Sequence, residues 1–169
     1  MLCPSCGHDN IEGMDRCDEC MSPLMKLDVP RPDAVEGLER SVMEDNLSQL
    51  EQEATVNVTA DSPVMDAVRR MREARSGCAL VLEDGRLVGI FTEHDVLTKL
   101  TGADGDTDVP VRKLMSPNPE TLRESDSVAA ALNRMSLGRY RHIPTLKGDG
   151  HYTVTSIKSV LKYIARENW

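Results

Sequence analysis

Shifted by 64 residues, most of this chain falls on itself without a gap. Val64, Ala67, Arg70 and Met71 fall on Val128, Ala131, Arg134 and Met135; Leu82 falls on Leu146; Val96 and Leu97 fall on Val160 and Leu161. Upstream, Leu47-Ser48-Gln49-Leu50 falls on Val111-Arg112-Lys113-Leu114. Such a repeat restricts the architecture to two copies of one supersecondary unit. Each copy reads strand, helix, strand, strand, helix. Val56 to Val58 is a short strand. Asp61-Ser62-Pro63 starts a helix, with a capping side chain followed by Pro in the first turn. Val64, Ala67, Val68 and Met71 then recur at helical spacing. Cys78 to Leu82 and Leu87 to Phe91 are near-continuous apolar strands joined by a turn at Asp84-Gly85. Thr92 opens the last helix. The second copy repeats this with Thr121-Leu122, Ser125 to Met135, His142 to Leu146, Gly148-Asp149-Gly150, Tyr152 to Thr155, and a helix from Ser156. Apolar strands need helices to cover them, so the expected class is α/β (α+β). One copy is too small to close a core well, so the two are expected to pack as a pseudo-twofold pair.

Ahead of the repeat stand Cys3-Pro4-Ser5-Cys6 and Cys17-Asp18-Glu19-Cys20. Two C-x2-C knuckles separated by a short loop have the spacing of a tetrahedral metal site, and so short a segment draws its folding energy from the metal. Residues 1–25 resemble the small zinc-ribbon family, in Cys3-Pro4-Ser5-Cys6-Gly7-His8-Asp9-Asn10, Gly13 and Cys17-Asp18-Glu19-Cys20-Met21-Ser22-Pro23-Leu24. The resemblance implies a structural zinc on Cys3, Cys6, Cys17 and Cys20. Met21 departs from it, standing where the family usually has Gly; that Gly lets the knuckle amides point at sulfur, so a distorted second knuckle is expected. The first knuckle also resembles half of a rubredoxin iron site. The second lacks the Gly and Pro of such sites, which favours zinc over iron. His8 and His94 are set aside as ligands, because four cysteines already close a tetrahedron.

Residues 26–46 form the connection. Two prolines stiffen 26–34 as a linker, and Val35, Leu38 and Val42 share one side of a short helix over 34–46. The expected domains are therefore 1–25, 26–46, 47–104 and 105–169. Paired cysteines read as metal ligands in a reducing compartment. No apolar run is long enough to cross a bilayer, and the chain opens on a knuckle where a signal sequence would be basic and then apolar, so the expectation is cytoplasmic. The formal charge of −8 argues against nucleic-acid binding. The basic residues collect beyond the knuckles, among them Arg134, Arg139, Arg141, Lys158 and Lys162. Most read as solvated helix-surface charge, and a local group can serve a small anion.

Over residues 47–169 the chain resembles the CBS-domain family, named from cystathionine beta-synthase. The residues that carry the resemblance are Leu114-Met115-Ser116-Pro117-Asn118-Pro119-Glu120-Thr121, Asp126 to Leu132, Arg141-His142-Ile143-Pro144 and Leu87 to Leu97. It implies a tandem pair, or Bateman module, whose clefts often bind AMP, ADP, ATP or S-adenosylmethionine, which commonly dimerises and which regulates instead of catalysing. In that family a Thr/Ser-x-x-Asp at the start of the last helix holds the ribose. Thr92-Glu93-His94-Asp95 matches it, and the same pattern is also a helix capping box. In the second copy Ser156 keeps the hydroxyl, but Ser159 stands where the acid would be. Matching the family's adenine positions are Thr55, Val56, Asn57, Ala79, Leu80, Ile90 and Phe91. Phosphate partners would come from Arg139, Arg141, His142 or Lys158, with a packed, hydrogen-bonded core histidine the other reading of His142. Cys78 reads as a small core residue. No catalytic set stands out. The expectation is a non-enzymatic sensor of an adenosine compound, a homodimer whose ribbon docks on a partner, on the dimer mate or on its own CBS pair. The alternatives are a scaffold that has lost ligand binding and a nucleic-acid-associated regulator.

Overall fold

The computed structural model describes residues 2–3, 5–11, 14, 16–22, 24, 37–51, 53–100 and 109–167. The expected linker over 26–34 and Val35 lie outside them. The short helix before the repeat, α1, runs Leu38–Glu44. The first copy then gives β1 (Asn57–Val58), α2 (Val64–Ala74), β2 (Cys78–Glu83), β3 (Arg86–Thr92) and α3 (Glu93–Asp95), which continues as a π turn over Val96–Leu100. The second gives β4 (Ser116–Pro117), β5 (Leu122–Arg123), α4 (Val128–Gly138), β6 (His142–Leu146), β7 (Tyr152–Ser156) and α5 (Ile157–Glu167). The result is a mixed α/β protein with two sheets, ordered β1-β2-β3-β4 and β5-β6-β7.

Local chemistry explains most of these elements. The Asp84-Gly85 turn closes between paired Glu83 and Arg86, with φ of 47° and 75°, the two left-handed positions of a tight hairpin. β4 is short and polar, and no periodicity announces it. It pairs antiparallel with Gly89 and Ile90 at the sheet edge, where Pro117 is tolerated. The start of α2 corrects the expected cap. Pro63 itself is the capping residue, and the Ser62 hydroxyl accepts from the Thr59 amide at 3.1 Å instead. In α4 the corresponding Ser127 caps by side chain, its Oγ accepting from Ala130 N at 3.1 Å. Gly138 ends α4 where a Cβ would run into the Tyr140 ring.

The chain divides into two compact units, and each draws on both copies. Unit I comprises Met1–Glu51, Leu122–Ile143 and Thr155–Trp169; unit II comprises Gln52–Thr121 and Pro144–Val154. In unit I, Leu47 and Leu50, at the opening of the first copy, are buried with Leu122, Val128, Ala131, Ile143 and Val160 of the second. In unit II, Val111, which precedes β4, is buried with Val56, Val64, Ala67 and Phe91 of the first. The backbone bonds repeat this exchange at the same 64-residue shift as the sequence. Leu47 N donates to Asp126 O (2.9 Å), Ser48 N to Glu124 O (3.1 Å) and Val128 N to Asp45 O (2.9 Å). Their counterparts are Val111 N to Ser62 O (2.9 Å), Arg112 N to Ala60 O (3.0 Å) and Val64 N to Val109 O (3.0 Å).

Candidate functional sites

The four knuckle cysteines converge. Their sulfurs all lie within 4.8 Å of one another. Cys3 and Cys20 are 3.4 Å apart, and Cys6 and Cys17 are 3.6 Å apart. A cation about 2.3 Å from each of four sulfurs sets them about 3.8 Å apart, whereas a disulfide needs about 2.05 Å. The arrangement therefore fits a tetrahedral ion. The two knuckles have the same turn: Gly7 N donates to Cys3 O at 2.9 Å, and Met21 N to Cys17 O at 2.8 Å. Gly7 has φ of 73° and Met21 φ of 58°. The expected distortion at Met21 is thus absent; the side chain is accommodated in the left-handed region, at a conformational cost Gly would not incur. Asn10 ties the knuckles together, donating to His8 O (2.9 Å) and accepting from Asp18 N (3.0 Å). Burial raises the Cys3 and Cys6 thiols despite amides pointing at them. At Cys17 burial also opposes ionisation, but the amides of Cys20 and Glu19 and the Asn10 side chain outweigh it and hold the thiol at about 6. A cation held by the four cysteines would supply the charge that makes all of them thiolates.

The segment that carries the four cysteines lies against α4, inside unit I. Ser127 Oγ donates to Ser5 O at 3.2 Å. Asn133 Nδ2 donates to Cys20 O at 3.3 Å and to Ser22 Oγ. Arg134 donates to Glu19 O at 3.2 Å and pairs with the Glu19 carboxylate at 3.7 Å. Of the docking surfaces weighed from sequence, the chain uses its own second copy. The sequence alone reads Arg134 as surface charge and gives no signal for Asn133.

The first-copy candidates fall together in unit II. Val56, Ala79, Leu80, Ile90 and Phe91 are buried, Thr55 and Thr92 are half-buried, and Asn57 is exposed. Val154 packs on Leu80 and Ile90, and Thr55 Oγ1 lies 3.4 Å from Thr153 Oγ1. Asp95 is 4% exposed and forms a full capping box. Its Oδ2 accepts from Thr92 N and Thr92 Oγ1, both at 2.8 Å, and Asp95 N donates to Thr92 Oγ1 at 3.3 Å. Its Oδ1 takes Lys99 Nζ at 2.7 Å; that ammonium also donates to Leu114 O at 2.6 Å. Lys99 was not foreseen, although the acid–Lys spacing of four on a helix was a readable signal.

The second-copy candidates fall in unit I. Ser156 and Ser159 are each 1% exposed and bond to each other: Ser156 N to Ser159 Oγ (3.2 Å), Ser159 N to Ser156 Oγ (3.0 Å), and Ser159 Oγ to Ser156 O (2.8 Å). A serine pair thus builds a neutral version of the first copy's cap. Arg139, Arg141 and Lys158 are exposed, and His142 is half-buried. Ile157 N donates to Arg141 O at 2.9 Å. Among the described residues no helix is long and apolar enough to cross a membrane.

Comparison with known proteins agrees with this architecture. CBS domain-containing protein CBSCBSPB5 of Arabidopsis thaliana is 31% identical over 119 residues, which are 69% of this chain and 22% of that protein, so the chain spans less than a quarter of that relative. The crystal structure of an uncharacterized conserved protein from Pyrococcus horikoshii superposes with a TM-score of 0.66 at 23% identity, covering 75% of this chain and 96% of that one. A CBS domain protein from Pyrobaculum aerophilum, complexed with AMP, gives a TM-score of 0.61 at 21% identity, covering 72% and 98%. The CBS domain family model matches residues 40–102 and 111–153, which span most of the two copies related by the 64-residue shift, and the chain belongs to the CBS domain family.

Proposed function

We propose that this chain is a regulatory protein that binds an adenosine-containing ligand, AMP, ADP, ATP or S-adenosylmethionine, on the elements of unit II, and holds a structural zinc ion in its ribbon. The observation that carries the reading is Asp95. A carboxylate at the start of a helix, 4% exposed, belongs to the same unit as the buried apolar side chains of Val56, Ala79, Ile90 and Phe91. A ribose offers two hydroxyl donors to such an acid, and the apolar side chains suit a purine face. The ribose hydroxyls replace Lys99 Nζ at Oδ1, which frees the ammonium for an anionic group. Ser159 offers no charge, so the second copy binds the weaker ligand or none, with Arg141, His142, Ser156 and Ser159 its candidate groups. The AMP of the Pyrobaculum protein belongs to that protein; at 21% identity the likeness speaks for the fold, and the adenosine class rests here on Asp95 and family membership. The reading is of a binding protein, acting in the cytoplasm as a homodimer whose state the ligand shifts by differential affinity. Four thiolates suit zinc and iron in the same geometry, and the second knuckle's lack of Gly and Pro favours zinc.

A second reading, a scaffold without ligand, is favoured by one fact: Thr92 and Lys99 already satisfy both oxygens of Asp95. Thermal unfolding of zinc-loaded protein against the adenosine panel separates the two. A ligand at about 100 times its dissociation constant adds roughly 2.7 kcal/mol of stability. The expected result is a raised midpoint with one compound, lost in Asp95→Asn and retained in Ser159→Ala. Unshifted midpoints with every compound make the scaffold the better account. A colourless protein with one equivalent of zinc by metal analysis supports zinc; a red chromophore identifies iron.

A further inference from the structure

We propose that the ribbon is a metal-dependent clamp on α4, so that metal loading at the four cysteines and the order of the second copy's first helix rise and fall together. The inference rests on the reading of the cysteine cluster as a metal site. Among the described residues, the ribbon's own core consists of Cys3, Cys17, Cys20 and Leu24, with Cys6 and Met14 packed against it. Most of that core is sulfur, so the ribbon's shape depends on what holds the sulfurs together. The shape is what α4 reads. Among the described residues its acceptors include three backbone carbonyls, at Ser5 in the first knuckle and at Glu19 and Cys20 in the second, together with the Ser22 hydroxyl. The loop that carries the last three closes by Cys17 N to Ser22 O and Met21 N to Cys17 O, both 2.8 Å. Carbonyls carry no sequence identity. They form a recognisable surface only while both knuckles hold their turns around a common centre.

The α4 side is equally particular. One hydroxyl, Ser127 Oγ, both caps the helix through Ala130 N and grips Ser5 O. Asn133 bridges two acceptors, and Arg134 adds a charge-assisted bond and an ion pair. In the first copy the corresponding residues are Pro63, Arg69 and Arg70. Arg70 conserves the charge, but Pro63 offers no hydroxyl and Arg69 no short amide fork. The ribbon is therefore addressed to the second copy alone. Coupling is reciprocal: whatever affinity for metal the ribbon gains from α4, α4 gains in stability from the metal.

Hydrogen exchange on the full-length chain, zinc-loaded and chelator-stripped, tests this, with zinc as the probe. Amides of α4 are expected to exchange at least about tenfold faster after stripping, and those of α2 at an unchanged rate. Asn133→Arg, which installs the first copy's residue, and Ser22→Ala, which removes one acceptor from the ribbon, are each expected to weaken zinc about tenfold in chelator competition, with α2 protection unchanged. Zinc bound with equal α4 exchange in both states overturns the clamp while leaving the metal site standing. Wild-type zinc affinity in both variants also overturns it. A chain that binds no zinc overturns clamp and metal reading together.

Discussion

Asp95 is held on both oxygens by its own helix and its neighbours, and its counterpart Ser159 closes the same cap without charge. The pair shows why Thr-x-x-acid is ambiguous as a ligand signature: the geometry that presents a carboxylate at a helix start is the geometry that caps the helix. Cys78 is simpler. It is 1% exposed in β2, and burial pushes its thiol from an ordinary 9.0 up to about 12. The sign follows from linkage. Between those values the folded state keeps a proton that the unfolded state has lost, so this contribution is complete below pH 9 and declines as pH rises towards 12, by roughly 1.4 kcal/mol per pH unit. Urea unfolding at pH 8, 9.5 and 10.5 is expected to show a steeper loss in wild type than in Cys78→Ala. Equal slopes would mean that the site ionises without resistance from the fold. The same protonation leaves Cys78 unreactive to alkylating reagents at pH 8 until the chain unfolds.

Helix ends carry the repeat as faithfully as helix faces. Arg75 after α2 and Arg139 after α4 stand 64 residues apart, and both have φ of 53°. At α2, Arg75 N donates to Arg72 O (3.2 Å) and Ser76 N to Met71 O (2.9 Å), the paired bonds of a Schellman stop. Glycine is the usual residue there, because a Cβ in the left-handed region is strained by about 1–2 kcal/mol. Arg75→Gly and Arg139→Gly are each expected to stabilise by about 1 kcal/mol after the added flexibility of the unfolded chain is counted, raising the midpoint by about 2–4 °C. Calorimetry on the two variants and the double tests this. A lowered midpoint at either site would show that the arginine side chain contributes more than its backbone strain costs. Repetition did not disclose these ends, since arginine is no stop signal. It did disclose the Asp84-Gly85 hairpin, whose residue types state their backbone angles.

Over the whole molecule the governing fact is exchange. The opening segment of the first copy completes the core of the second, and the opening segment of the second completes that of the first. Leu47 is 2% exposed and Val111 fully buried. Leu47→Ala is expected to cost about 2–5 kcal/mol and Val111→Ala somewhat less, by lost burial and the cavity left behind. The position of the damage discriminates. Hydrogen exchange is expected to rise first in α4 and α5 for Leu47→Ala and first in α2 and β1 for Val111→Ala. The reverse pattern, each variant loosening its own copy, would contradict the exchanged packing.

Local order was legible because its causes are local. The apolar spacing of α2 and α4, the apolar runs of β2 and β3, the hairpin turn and the knuckle spacing all reflect steric and burial rules that act within a few residues. The shift of 64 residues showed that the two copies share one plan, and residue types alone marked the four cysteines as one site. Tertiary structure decided what depends on which surfaces meet. A periodic pattern states that Leu47 and Val111 face a core, but both cores present the same kind of apolar surface, so the pattern cannot say which one. Likewise Ser127, Asn133 and Arg134 are unremarkable polar residues on a helix until folding sets the ribbon's carbonyls within reach. Hydrogen bonds to backbone acceptors leave no trace in the acceptor's side chain, and that is why the ribbon's place on α4 is written in the fold and not in the sequence.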